Sequence, residues 1–577
     1  MPRLQLPVIR FANLIDALEA APADRLFITS WIDEDESESV TFGEFRRLAQ
    51  AEATALRKSG LTSGDRVVII MPHGIPAMTT FVAAMIIGAV PALLAYPNFK
   101  VEPAKYRSGL EGVTANLRAR MVVIDTEFPE EMLSSVSLDS GASLIRAGIH
   151  ISSGGSELQQ PGAPGDSPNL EGNSLAFIQH SAGTTGLQKG VALNHGAVLR
   201  QLEHLSQTLK INGEKDRIYS WLPLYHDMGL IACFMLPMVC HVPLVMQSPL
   251  DWVMHPESML QIVSEHKCTL AWMPNFAFQF VPRRTPKNRW DEYDLSSLRL
   301  LINCSEPVRA SSMTEFQAAF AIRRGVLQSC YAMAENVFAV TQSDIARDPV
   351  TIYVDGQHFR SAHRISPVDK YTKGAVAFTS SGRLLSNQQV RIVSESDAVL
   401  SDHQVGEIVV KGDCLFEGYY NRSDLTAQAL KDGWYYTGDL GFYQQGELFV
   451  VGRKKDLLIV GGENIYPQDI EQIVGAHSAV HDGRVVAMGL YNPELGTEEI
   501  VVVAELENEE LLADGVAIES EIRANVVAAM GIAVRTIFLK PPKWIVKSTA
   551  GKAARSATRE KMLREHPELN AAAQISA

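Results

Sequence analysis

Glycines, hydroxyls and a lysine are concentrated in Ser181-Ala182-Gly183-Thr184-Thr185-Gly186-Leu187-Gln188-Lys189-Gly190. A loop of this composition can turn several backbone N–H groups and one cation toward phosphate oxygens. It departs from the Walker A pattern, which needs glycine immediately before the lysine and Ser or Thr after it. Gln188 and Gly190 stand at those two places. A Gly-rich surface turn has the same composition, so the loop alone does not decide its use. Six further stretches carry reactive side chains in short strings. They are Leu222-Pro223-Leu224-Tyr225-His226-Asp227-Met228-Gly229-Leu230, Asn303-Cys304-Ser305-Glu306-Pro307 and Tyr331-Ala332-Met333-Ala334-Glu335. After these come Trp434-Tyr435-Tyr436-Thr437-Gly438-Asp439-Leu440-Gly441, Gly452-Arg453-Lys454-Lys455-Asp456 and Lys547-Ser548-Thr549-Ala550-Gly551-Lys552.

The elements that must position these strings alternate in period. Residues 42–56 predict an amphipathic helix, opened by Thr41 as N-cap with Glu44 three residues on. Residues 66–71 and 121–125 are short apolar runs of the kind buried in parallel sheets. The run 174–179 reads as a strand leading directly into the glycine loop. Residues 81–95 are apolar, but they fall short of the ~20 that a spanning helix needs and contain Gly88 and Pro91. They predict a buried helix running into a strand, and no integral membrane segment. Residues 152–173, rich in Ser, Gly, Pro and Gln, predict a loop or linker. From 175 to 393 the strand–helix alternation resumes, which predicts a doubly wound α/β architecture. The pattern changes near residue 453, with a new strand at 499–505 and a helix at 518–530. The expected domains are therefore 1–453 and 454–577.

Composition narrows the class. A chain of 577 residues exceeds one ordinary core. Its 46% hydrophobic and 20% charged residues are ordinary for a globular enzyme. A formal net charge of −14 provides no cation field for nucleic acid, although a local basic site for a phosphate ligand remains compatible. The six cysteines contain no C-x-x-C pair, and no signal-peptide core is visible, so the expected location is the reducing cytoplasm.

In this order the seven strings resemble the core motifs of the acyl-adenylate-forming superfamily, from about residue 25 to 560. That resemblance implies a large N-terminal domain of doubly wound α/β sheets, binding ATP and the acyl group. It also implies a small, mobile α+β C-terminal domain carrying the catalytic lysine. By the same resemblance, residues 181–190 close over the β- and γ-phosphates, with Ser181, Ala182, Gly183, Thr184, Thr185, Gly186 and Lys189 on ATP. Glu335 is the Mg²⁺-linked carboxylate, with Thr184 beside the metal. Tyr331, Ala332 and Met333 lie on one side of adenine, and Ser305, Glu306 and Pro307 on the other. Asp439 accepts the ribose hydroxyls. Arg453, on the nucleotide, and Lys455 mark the hinge. His226 stands beside the acyl carboxylate, and Lys552 reaches the α-phosphate.

The closest likeness is to fatty acyl-AMP ligases. It rests on residues 222–231, on Ala334 before Glu335, on the long segment between Glu335 and Gln389, and on Tyr466-Pro467-Gln468-Asp469-Ile470-Glu471. In that branch the long segment is held to restrict domain rotation and disfavour CoA. The implied activity is the Mg²⁺-dependent reaction of a medium- or long-chain fatty acid with ATP to give acyl-AMP and pyrophosphate, then transfer of the acyl group to the phosphopantetheine thiol of an acyl carrier protein. A fatty acyl-CoA ligase and a non-catalytic nucleotide-binding relative are the alternatives. Gly461-Gly462-Glu463-Asn464 looks more like the CoA-ligase form, and Trp544-Ile545-Val546-Lys547 replaces the usual approach to the lysine. Met228, Gly229, Cys233, Phe234, Trp272 and Phe276 suit either an acyl tunnel or ordinary core.

Overall fold

The computed structural model describes residues 9–97, 103–133, 143–146, 170–180, 189–460, 463–492, 497–547 and 553–569. The amphipathic helix forms over Phe42–Lys58, closed at its start by a capping box in which Thr41 and Glu44 satisfy each other's backbone N–H groups. The apolar run becomes the helix Ile75–Ile87, broken by Gly88 at φ 81°, and then the strand Val90–Leu93. Nearly every residue of that helix is buried. It lies inside the fold, and each large apolar side chain buried there contributes about 1.5–3 kcal/mol. Among the described residues, no helix is long and apolar enough to cross a membrane.

Two sheets form the frame of the large N-terminal domain. One is four-stranded and parallel, in the order Val90–Leu93, Arg66–Ile70, Met121–Ile124, Ser143–Arg146. The other is nine-stranded. Its parallel centre runs Leu327–Ala332, Leu300–Asn303, Leu270–Met273, Ile218–Ser220, Leu244–Gln247, Leu26–Trp31. Antiparallel strands close both edges. The strand–helix alternation predicted the parallel centre. It did not predict that Leu26–Trp31 would join from the far N-terminus, because pairing partners are a long-range choice that local periodicity does not encode.

Two smaller sheets hold the chemistry-bearing strings. Leu175–His180 and Gly190–Asn194 form an antiparallel pair that Gly418–Tyr419 extends. The first of these strands runs one residue further than expected, so His180 ends the strand before the glycine loop. A five-stranded sheet contains Gln388–Val393, Gly406–Gly412, Leu430–Lys431, Trp434–Gln444 and Glu447–Arg453. The long segment after Glu335 supplies the hairpin Thr351–Asp355 and Ala375–Thr379 with the helix Gly356–Ala362 between its strands.

The smaller C-terminal domain is α+β. The strands Val480–Asn492, Thr497–Leu506 and Thr536–Lys540 pack against the helices Pro467–Gly475 and Gly515–Met530. The core shared by these helices draws all its members from residue 458 onward. The predicted linker 152–173 lies outside the described residues as far as 169.

Candidate active site

The loop-and-strand string Thr437-Gly438-Asp439 turns inside the strand Trp434–Gln444. Gly438 adopts φ 73°, a left-handed conformation that favours glycine. Thr437 Oγ1 donates to the Ile408 carbonyl at 2.7 Å and accepts the Asp439 N–H at 3.0 Å, which orients the aspartate. Across the antiparallel ladder Asp439 pairs with Arg453, whose Nε lies 3.5 Å from Oδ1. From another sheet, the Tyr331 hydroxyl donates to Oδ2 at 2.7 Å. Tyr331, 108 positions away, thus meets Arg453 at the Asp439 carboxylate. Burial raises the pKa of Asp439, and Arg453 and Tyr331 oppose that shift.

Glu335 lies in the single 3₁₀ turn Ala334–Asn336. Val337 follows at φ 61°, and the Phe338 N–H donates back to the Asn336 carbonyl at 2.6 Å, a γ-turn strained for a β-branched residue. The Tyr419 hydroxyl donates to Glu335 Oε1 at 2.7 Å and lies 3.3 Å from the Tyr435 hydroxyl. Lys189 Nζ stands 4.7 Å from the centroid of the Tyr419 ring. Ser181, Ala182, Gly183, Thr184, Thr185 and Gly186 lie outside the described residues. An open cleft of about 910 Å³ runs behind Gly418–Tyr420, walled by Asn116, Arg118 and Arg422.

The third group surrounds the expected acyl end. Asp227 accepts the Met228 N–H at 2.8 Å and starts a π-helix over Met228–Met235. A Cβ on Gly229 would strike the Pro223 carbonyl oxygen, so that turn admits only glycine. The His226 ring lies 4.8 Å from that of Tyr225. Ser305, at φ 70°, places its hydroxyl 3.9 Å from Met228 Sδ. Glu306 accepts the Phe276 N–H at 2.9 Å and so ties the string 303–307 to the helix Ala277–Arg284. Behind it, Asn275 accepts from Asn303 at 2.9 Å and from the Arg309 N–H at 3.1 Å. Met228, Phe276, Ser305 and Glu306 are therefore neighbours. Cys233, Phe234 and Trp272 are fully buried in the core.

Lys455 follows Arg453 in the turn Lys454–Asp456. Desolvation lowers its pKa, and the Arg453 cation acts in the same direction, with Lys189 also within electrostatic reach. Lys454 pairs with Glu407 at 3.2 Å, and Glu407 also accepts the Gly438 N–H at 3.1 Å. A chain of net charge −14 thus collects Lys189, Arg453 and Lys455 at one place, the arrangement a polyphosphate requires.

The seam to the C-terminal domain lies beyond the turn Lys454–Asp456. Phe359 stacks on Tyr466 with centroids 5.3 Å apart. Arg309 donates to the Gln468 carbonyl at 3.0 Å and Arg360 to the Met530 carbonyl at 3.1 Å. Asp469 sits at this seam. Burial pushes its pKa up to about 6, against the pull of Arg309 and Arg360. Lys552 lies outside the described residues; Lys547 and Ala553 on either side form an antiparallel bridge.

Tyr419, Tyr435, Glu407, Asn275 and Arg309 are site residues that the sequence did not single out. Gly418-Tyr419 is too short a string to attract notice before its contacts are known. For a divalent cation, no group of three or more His, Cys, Asp or Glu side chains is close enough to form a cage among the described residues. Glu335 as the one carboxylate fits Mg²⁺, which keeps its waters and takes its remaining ligands from substrate phosphates.

Comparison with known proteins follows the same lines. The sequence pattern of the AMP-binding enzyme family matches residues 16–420. The chain is 28% identical over 577 residues to the medium-chain-fatty-acid–[acyl-carrier-protein] ligase JamA of Moorena producens, spanning 96% of this chain and 95% of that protein. It is 27% identical over 567 residues to the long-chain-fatty-acid–AMP ligase FadD32 of Mycolicibacterium smegmatis, spanning 90% and 88%. A solved structure from work on fatty acyl-adenylate ligases of E. coli and L. pneumophila matches with a TM-score of 0.86 at 25% identity, covering 97% of this chain and all of that one.

Proposed function

Because the chain belongs to the AMP-binding enzyme family, we propose that it joins a fatty acid to AMP and then passes the acyl group to a carrier-protein thiol. In the first step a carboxylate oxygen of the acid attacks the α-phosphorus of ATP. The bond from that phosphorus to the bridging oxygen breaks, and pyrophosphate leaves. In the second step the phosphopantetheine sulfur attacks the acyl carbonyl and AMP departs. The observation that carries the reading is the Tyr331–Asp439–Arg453 group, an oriented carboxylate beside an aromatic face and a cation.

Each residue then has a task. Asp439 accepts the two ribose hydroxyls. Tyr331, Ala332 and Met333 face adenine opposite Ser305, Glu306 and Pro307. The loop 181–190 holds the β- and γ-phosphates through its N–H groups, Thr184 and Lys189, which keeps the leaving group in line. Glu335, with Thr184, would hold Mg²⁺, whose charge offsets that of the phosphates. His226 lies at the acyl carboxylate, with Met228, Gly229 and Phe276 along the start of the chain. Lys552 approaches the α-phosphate from a mobile domain, 454–577, that turns against 1–453 about Arg453 and Lys455.

The carrier protein is preferred to CoA as acceptor because the hairpin segment 351–379 is packed on the seam through Phe359 and Tyr466. All six cysteines are free, which suits the cytoplasm. The test is acid-dependent pyrophosphate release over a panel of fatty acids, followed by single turnovers with CoA and with holo carrier protein. Efficient acyl-CoA formation would overturn the choice of acceptor, and no release with any acid would overturn the reading itself.

A further inference from the structure

Tyr419 does more than fill space between the glycine loop and Glu335. It is buried, and four contacts fix it. Its backbone pairs with Val191 on the strand that leaves the glycine loop, and its N–H donates to Thr426 Oγ1 at 2.9 Å. The neighbouring Tyr420 N–H donates to the Gly190 carbonyl at 2.7 Å. The ring meets Phe416 edge-on at 4.9 Å. Held this way, the residue presents two chemically different faces to the site. Its hydroxyl donates to Glu335 Oε1, and its π-face receives the Lys189 ammonium.

Both recipients need such a partner. Glu335 projects from a single 3₁₀ turn, and the Tyr419 hydroxyl, backed by that of Tyr435, supplies the hydrogen bond that aims its carboxylate. Lys189 is exposed, and among the described residues no carboxylate lies within ion-pair distance of it. An ammonium over an aromatic face keeps its full charge for an anion, whereas an ion pair would neutralise it.

We propose that Tyr419 is a positioning residue that sets the metal-holding carboxylate Glu335 and the phosphate-binding ammonium Lys189 at a fixed separation. Metal and polyphosphate then bind as one unit. This rests on the adenylation reading above. It assigns Tyr419 no part in bond making: the residue touches neither the acid nor the reacting phosphorus. Removing the hydroxyl should weaken the contribution of the metal while leaving the nucleotide base and ribose contacts intact. Removing the ring should additionally weaken nucleotide binding without metal, because Lys189 loses its support.

The test uses the full chain with Tyr419→Phe and Tyr419→Leu. Binding of a non-hydrolysable ATP analogue is measured by calorimetry with and without Mg²⁺, alongside the Mg²⁺ dependence of pyrophosphate release and a thermal melt. Tyr419→Phe should raise the half-saturating Mg²⁺ concentration about ten-fold, the scale of one hydrogen bond to a charged group. Excess Mg²⁺ should restore kcat, with metal-free analogue affinity and the KM for fatty acid unchanged. Tyr419→Leu should also lower metal-free affinity severalfold. An unchanged Mg²⁺ dependence in a folded Tyr419→Phe protein overturns the proposal, as does an equal loss with and without metal. If wild-type protein binds the analogue with metal yet releases no pyrophosphate, the function fails while the binding arm still decides the role of Tyr419.

Discussion

The nucleotide group and the domain seam are built on opposite plans. Asp439 and Arg453 face each other across neighbouring strands of one ladder, and Tyr331 closes on them from the strand Leu327–Ala332. Sheet hydrogen bonds set Asp439 against Arg453, and the Tyr331 hydroxyl adds a side-chain tie from a strand of the large sheet. The seam is held by the stacked Phe359–Tyr466 pair, by arginine, glutamine and asparagine side chains reaching backbone carbonyls, and by the Arg360–Glu463 ion pair. Contacts of that kind contribute about 1 kcal/mol each. The lesson is a difference in coupling: the nucleotide group is anchored by a backbone ladder, whereas these seam contacts all run through side chains.

The largest expected effect tests whether the mobile part is needed for only one half-reaction. Lys552→Ala should lower acid-dependent pyrophosphate release by about 10²–10³, the cost of one preorganised donor. Transfer from supplied acyl-AMP should survive; equal loss of both, measured in separate single turnovers, would break the two-pose picture. Next, Asp439→Ala should reduce kcat/KM for ATP by about 10², since two hydroxyl contacts to a carboxylate are lost. A fall below ten-fold would remove Asp439 from the ribose.

At the seam, Phe359→Ala should leave the KM for ATP unchanged. An aromatic pair contributes about 0.5–1.5 kcal/mol, so proteolysis near residues 453–463 and transfer to CoA should rise only about 2- to 12-fold. Unchanged rates would mean that the stacked pair does not restrain the domain.

Acid should separate the two regions by sign. Burial pushes His73, His180 and His195 down to about 4, so they stay neutral in the fold. Between pH 6.5 and 4 the unfolded chain binds protons that the native large domain does not. Stability is then lost as pH falls, by up to about 1.4 kcal/mol per unit for each group. Asp469 behaves oppositely: at about 6 its folded pKa lies above the ordinary value, so its contribution is present at low pH and lost as pH rises through 6. Thermal melts of His180→Gln and Asp469→Asn against pH should show the first reducing the acid loss and the second favouring the seam above pH 6. Shifts of the same sign would end the distinction. The smallest effect belongs to Tyr466→Phe. The Tyr466 hydroxyl is buried with no hydrogen-bond partner among the described residues, so its removal should leave the melting temperature equal or slightly higher.

Much of the site was legible because its strings are local. Thr437-Gly438-Asp439 carries a glycine where the backbone turns left-handed, and the capping box at Thr41 and Glu44 is written within four residues. Tyr419 was not legible, because its meaning lies in Glu335, eighty-four positions away, and in Lys189, far earlier still. The stacking of Phe359 on Tyr466 was equally illegible, since a stacked pair leaves no periodic mark in either segment.

The sequence by itself determined the family, the order of the reactive strings and the kinds of side chain available for phosphate, ribose and metal. Those are matters of residue type and short spacing, where sterics and hydrogen-bonding capacity act within a few residues. Only the tertiary structure decided that Tyr331 and Arg453 share one carboxylate, that one tyrosine serves both Glu335 and Lys189, and which side chains fasten the smaller domain. Such pairings depend on which strands become neighbours, and that is settled by burial of the whole chain.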